Sequence, residues 1–157
     1  MKQIFIGLML LLNAASAFSD AKMIAGSECA AQDPDDIGVF SSDVTGAIYN
    51  NIFPLSSEPK RVVCPMLNDF YGETSLDDVK IKVVHGISSA PIYCTVVVAN
   101  PSVNSSKAVT LSSPGGSYRS VYTLDFPRIG NGQKNNNYVA YCDLDQGDGV
   151  FSVYYDE

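Results

Sequence analysis

The densest group of chemically capable residues in this 157-residue chain is Asp143-Leu144-Asp145-Gln146-Gly147-Asp148-Gly149. Three carboxylates, Asp143, Asp145 and Asp148, beside two glycines could wrap a hard, oxygen-seeking cation such as calcium. The spacing departs from the EF-hand loop. With Asp143 as the first ligand, the fifth position is Gly147, the glycine needed at the sixth is Asp148, and the twelfth is Tyr154. Asp and Gly are also what a tight turn between two strands requires, and the turn is the preferred reading. No cofactor is then needed, with calcium at Asp143, Asp145 and Asp148 as the alternative. A second acidic group, Asp33, Asp35 and Asp36, reads as a solvated loop.

Catalytic parts are scarce. His85 is the single histidine, and a Ser-His-Asp arrangement would have to use it. Ser88 and Ser89 are close in sequence, yet no G-x-S-x-G elbow is present. His85 therefore reads as a strand-end residue with ordinary hydrogen bonds. Seventeen acidic residues leave a glycosidase-type carboxylate pair open, but no spacing singles one out. Phosphate-loop, dinucleotide and zinc motifs are absent.

Binding has more material. The chain has nine tyrosines and no tryptophan. By strand parity Tyr93, Tyr141 and Tyr154 oppose the core-facing positions, which predicts one exposed strip able to stack on sugar rings or a partner protein. The competing reading has these tyrosines covering sheet edges and sandwich ends, and the missing tryptophan weighs against a strong carbohydrate platform. Asn104-Ser105-Ser106 is a formal glycosylation sequon, without effect in a bacterial host.

The elements that must position these residues are short and extended. Runs of β-type residues are predicted at 46–52, 60–66, 78–86, 91–99, 107–112, 118–126, 137–144 and 149–156, separated by Pro, Gly, Asn and Ser. No segment of helical period or crossover length lies between them. The pattern predicts an all-β antiparallel sandwich of about eight strands, arranged like a jelly roll. Val79, Ile81 and Val83 share a face opposite Lys80 and Lys82. Ile92, Cys94, Val96 and Val98 share another, as do Tyr138, Ala140, Cys142 and Leu144. Cys94 and Cys142 thus both face the core of long strands, so a bridge between them is sterically reasonable, leaving Cys29 for Cys64. Zinc is poorly supported, because the nearest two cysteines are thirty positions apart.

The start of the chain carries a different message. Met1-Lys2-Gln3 is short and basic, Ile4 to Leu12 is apolar apart from Gly7, and Ala15-Ser16-Ala17 suits a signal peptidase. Residues 1–17 are expected to be a cleaved signal peptide, 18–45 an irregular acidic leader and 46–157 the sandwich. Removing the first 17 residues takes away one basic and no acidic residue, moving the net charge from −7 to −8. Such a domain repels phosphate backbones and anionic lipid, which excludes nucleic acid as a partner. Nothing after the signal is apolar for long enough to anchor the protein in a membrane. A secreted or periplasmic location, and two disulfides, follow as expectations.

Together, Val63-Cys64-Pro65, the alternating strand 79–84, Tyr93-Cys94-Thr95 and Tyr138-Val139-Ala140-Tyr141-Cys142 give the chain a familiar layout. Over about its last 130 residues it resembles a group of uncharacterised secreted bacterial proteins with four cysteines. Where those proteins carry Leu-Pro after the last cysteine, this chain has Asp145. The resemblance implies export, four cysteines and a β-sandwich, and brings no functional residue. The residues favour a non-catalytic recognition domain that binds glycan or another surface polymer. The alternatives are a structural or protein-interaction subunit of a surface assembly, or an inhibitor, and last a small hydrolase.

Overall fold

The computed structural model describes residues 21–51, 58–67 and 74–156. The predicted signal peptide lies outside the described residues. The strands are β1 (Lys22–Ala25), β2 (Ala30–Ala31), β3 (Phe40–Ser42), β4 (Ile48–Asn50), β5 (Lys60–Met66), β6 (Ser75–Val84), β7 (Tyr93–Asn100), β8 (Ser105–Ser112), β9 (Val121–Phe126), β10 (Ile129–Gly130), β11 (Asn137–Leu144) and β12 (Gly149–Asp156). They form a five-stranded sheet, β2-β5-β11-β7-β8, and a seven-stranded sheet whose path is β10-β6-β12-β4-β3. In the second sheet β9 also pairs with β6, and β1 with β12. Every pairing is antiparallel.

The eight predicted strands correspond to β4, β5, β6, β7, β8, β9, β11 and β12. They take the spatial order β4-β12-β6-β9 in one sheet and β5-β11-β7-β8 in the other. This is the jelly-roll arrangement, in which the chain winds between two sheets and early strands lie beside late ones. The leader differs from expectation: β1, β2 and β3 all come from residues predicted to be irregular, and they extend both sheets. Its acidic cluster is also structured. Asp33 caps a short 3-10 helix, Pro34–Val39, by accepting the Asp35 N–H at 3.0 Å, and Asp36 pairs with Lys60 at 3.0 Å.

Alternation places the core. Val62 and Cys64, Val79, Ile81 and Val83, Cys94, Val96 and Val98, and Ala140, Cys142 and Leu144 are all fully buried between the sheets. Cys94 stands directly opposite Cys142, and Cys29 precedes the β2 residue that faces Val63, which puts it opposite Cys64. Both pairs are bridged, with Cα separations of 4.1 and 4.2 Å, and no cysteine is free. The two disulfides thus cross-link neighbouring strands of the five-stranded sheet.

Candidate functional site

A row of outward positions crosses the seven-stranded sheet: Val121 of β9 faces Val84 of β6, Val84 faces Gly149 of β12, and Gly149 faces Tyr49 of β4. Gly149 is required there. A Cβ on it would come within 2.7 Å of both the Ile48 carbonyl oxygen and the Tyr49 ring. The missing side chain lets the Tyr49 ring lie against β12 at the edge of a hollow, and Phe151, at a β-bulge between Val150 and Ser152, lines the same hollow. The two rings meet edge to face, with centroids 6.5 Å apart.

Loops complete a cleft of about 480 Å³ over this row. Tyr118 and Arg119 enter from the β8–β9 connection, Gln146 and Gly147 from the β11–β12 connection, and Asp43 and Asn51 from either side of β4. The carboxylate of Asp43 accepts the backbone N–H groups of Thr45 and Ala47 and the Thr45 hydroxyl. The Thr45 hydroxyl first, against an opposing desolvation, and then these N–H groups and Tyr49 hold its carboxyl below the usual carboxylate range. Burial, and then the Asp43 charge, push the Tyr49 phenol upward, so Tyr49 keeps its proton and donates it to Asp43.

Beneath the cleft lies a buried polar line. His85, Ser113 and Asp148 are each about 1% exposed. Asp148 Oδ1 accepts the Gly86 N–H at 2.7 Å, and Oδ2 accepts the Asp145 N–H at 3.1 Å. One carboxylate therefore fastens the 145–148 turn to the end of β6. The Asn50 N–H bonded to the Asp148 carbonyl, and the Gly147 N–H bonded to the Asn50 carbonyl, tie the same turn to β4. His85 clamps the third wall through its backbone: its N–H donates to the Ser120 carbonyl, and its carbonyl accepts the Arg119 N–H. Burial raises the Asp148 carboxyl to about 6. The Gly86 and Asp145 N–H groups and His85 oppose the rise, while the Asp145 charge adds to it.

The order Ser113, His85, Asp148 looks like a catalytic triad, but its chemistry is wrong for one. Nε2 of His85 lies 2.9 Å from Ser113 Oγ and 3.0 Å from the Pro114 carbonyl oxygen. A carbonyl only accepts, so the ring carries a hydrogen on Nε2 and has no lone pair there to take a serine proton. Ser113 Oγ also accepts the Ile92 N–H at 3.0 Å, and the serine is enclosed. The line is a strut that holds the cleft walls.

The acidic loop is a turn. The Asp148 N–H donates to the Asp145 carbonyl at 3.0 Å, and Gly147 sits at φ +78°, where a side chain is disfavoured. Its carboxylates have separate partners: Asp143 makes a two-point pair with Arg61 at 2.6 and 2.9 Å, Asp145 accepts the Ser88 hydroxyl at 2.9 Å, and Asp148 faces inward. Among the described residues no group of three or more His, Cys, Asp or Glu side chains is placed to hold a metal ion.

The predicted tyrosine strip divides between two faces. Tyr93, 51% exposed, and Tyr141 lie on the outer face of the five-stranded sheet, where Arg61 stacks on Tyr141 at 4.3 Å. Tyr154 lies on β12 in the other sheet, under Lys80 at 5.3 Å. The cleft residues Tyr49, Tyr118, Arg119 and Phe151 were not singled out in the sequence. The one signal pointing to them was the Gly that follows the acidic turn.

No protein-family model matches the chain, and no curated protein does. Among solved structures, the apo form of BiXyn10A CBM1 is similar at 13% identity and a TM-score of 0.46, covering 87% of this chain and 96% of that one. An exo-β-1,3-galactanase from Phanerochaete chrysosporium, solved with galactose, is similar at 10% identity and the same TM-score of 0.46. It covers 87% of this chain and 29% of its own. Among the described residues no helix is long and apolar enough to cross a membrane.

Proposed function

We propose that the protein is an exported, non-catalytic recognition domain whose cleft on the seven-stranded sheet binds a glycan. One observation carries the reading. Tyr49, Phe151 and Tyr118 present aromatic surface around a hollow whose lining also includes the hydrogen-bonding side chains of Asn51, Gln146 and Arg119. Aromatic faces stack on the C–H faces of sugars, while amide and guanidinium groups fix hydroxyls. The cleft's volume of about 480 Å³ falls in the range of small-ligand sites. The two disulfides suit an oxidising compartment. A glycan array probed with the oxidised domain tests the reading: retention on saccharides that Tyr118→Ala and Phe151→Ala abolish supports it. Retention that both variants leave unchanged contradicts it.

A second reading, a protein-binding subunit or inhibitor, draws on the rim. Ile87 at 66%, Tyr118 at 64% and Val121 at 44% exposure form an apolar margin around the same cleft. Under that reading the array stays silent, and a polypeptide partner protects these three residues from solvent.

A further inference from the structure

The chain contains three arginines, and their surroundings divide them. Arg61 engages Asp143 with both arms of its guanidinium. Arg128 pairs with Asp77 at 2.9 Å. Arg119 lines the cleft, and among the described residues no carboxylate lies within ion-pair distance of it. Its guanidinium lies 5.1 Å from the Tyr118 ring centroid, which orients a planar cation at the cleft wall. Its backbone is held at φ +64°, a conformation that side chains disfavour and that glycine would adopt freely. The Arg119 N–H to the His85 carbonyl, at 2.8 Å, keeps it there.

A second cation lies on the same sheet face, outside the residues that line the cleft. Lys82 Nζ lies 5.7 Å from the ring of Phe151, on the outer face of β6, and it too lacks a carboxylate partner among the described residues. Among the described residues that line the cleft Asp43 is the one carboxylate, and it already accepts from Thr45, Ala47 and Tyr49. On a protein of net charge −7, Arg119 is thus a cleft cation with no carboxylate partner among the described residues.

We infer that the cleft's ligand is an acidic saccharide, a hexuronate unit whose carboxylate pairs with the Arg119 fork while its ring stacks on the neighbouring aromatic surface. The inference rests on the glycan reading and names the class of glycan. A carboxylate offers two coplanar oxygens that match the guanidinium edge, whereas the tetrahedral sulfate ester also suits a point charge such as lysine.

The test is calorimetric titration of the oxidised protein with oligouronides of several linkages, their carboxyl-reduced neutral counterparts, and sulfated oligosaccharides. An oligouronide is expected to bind at least about tenfold more tightly than its neutral counterpart. Arg119→Gln should erase that preference, and Arg119→Lys should restore only part of it. Arg119→Gly, which suits the left-handed backbone, should behave like Arg119→Gln with the fold intact. Equal binding of acid and neutral forms, an oligouronide affinity untouched in both Arg119→Gln and Arg119→Gly, or tighter binding of the sulfated sugars would each overturn the assignment. Neutral sugars binding alone would overturn it while leaving the glycan reading in place. Silence toward every saccharide would remove both.

Discussion

His85 Nδ1 faces Asp148 Oδ1 across 3.9 Å, and both side chains are enclosed beneath the cleft. Nδ1 has no hydrogen-bond partner among the described residues, and the Asp148 carboxyl beside it is cut off from solvent. The consequence has a definite sign. Burial lifts the Asp148 carboxyl from 3.8 to about 6, so the folded protein holds this proton more tightly than the unfolded chain does. The stabilisation is complete below about pH 4 and is lost as pH rises through about 6, an effect on the order of 3 kcal/mol. Unfolding free energies should therefore decline between about pH 4 and 6.5 more steeply in the wild type than in Asp148→Asn. Parallel curves would contradict the assignment.

Ser113 Oγ accepts the Ile92 N–H and meets His85 Nε2, all within the core. Ser113→Ala leaves a buried N–H unpaired and should cost about 1–3 kcal/mol in urea denaturation. A neutral substitution would mean that the strut carries no load.

The end of β6 and the 145–148 turn touch through backbone. A Cβ at Gly86 would come within 2.1 Å of the Gly147 carbonyl carbon and 2.4 Å of the Gln146 oxygen. Gly86→Ala must push two cleft walls apart, with an expected loss of about 1–3 kcal/mol. Gly38→Ala, whose Cβ meets nothing within 4 Å, is the control. Equal thermal midpoints for the two variants would refute the close approach.

The Cys94–Cys142 bridge closes a separation of 48 residues, worth about 4 kcal/mol in the loop-entropy limit. Replacing both cysteines with Ala should lower the urea midpoint accordingly, with an upper bound near that figure. Thiol labelling of the untreated wild type should find no free cysteine, and labelled thiols would break the pairing.

These residues also show what a sequence makes legible. Strands 60–66, 137–144 and 149–156 were predicted to the residue, because the first two alternate throughout, the third is a run of β-type residues, and all are bounded by turn-forming or polar residues. The cysteine pairing followed from parity, since core-facing cysteines on long strands have few other places to go. β2 is two residues long, and β1 and β3 are little longer, so they hold too little alternation to be seen. Their extended form is imposed by the strands they join. Tyr154 shows the limit of parity. It separates the two sides of one strand, but the outer faces of both sheets carry the same pattern, so it could not place Tyr154 opposite Tyr93 and Tyr141. The cleft was hidden for a further reason. The bulge at Phe151 breaks the alternation there, and the remaining walls come from loops distant in sequence.

The central claim is that a glycan seats in the Tyr49–Phe151–Tyr118 cleft. Amide chemical-shift mapping of the oxidised, isotope-labelled protein, titrated with an oligosaccharide selected from the array, tests it most directly. The account predicts shifts clustered at Tyr49, Asn51, Tyr118, Arg119, Gly147 and Phe151, with none at Tyr93 and Tyr141. Shifts centred on Tyr93 and Tyr141, with the cleft residues unmoved, would place recognition on the five-stranded sheet and contradict it.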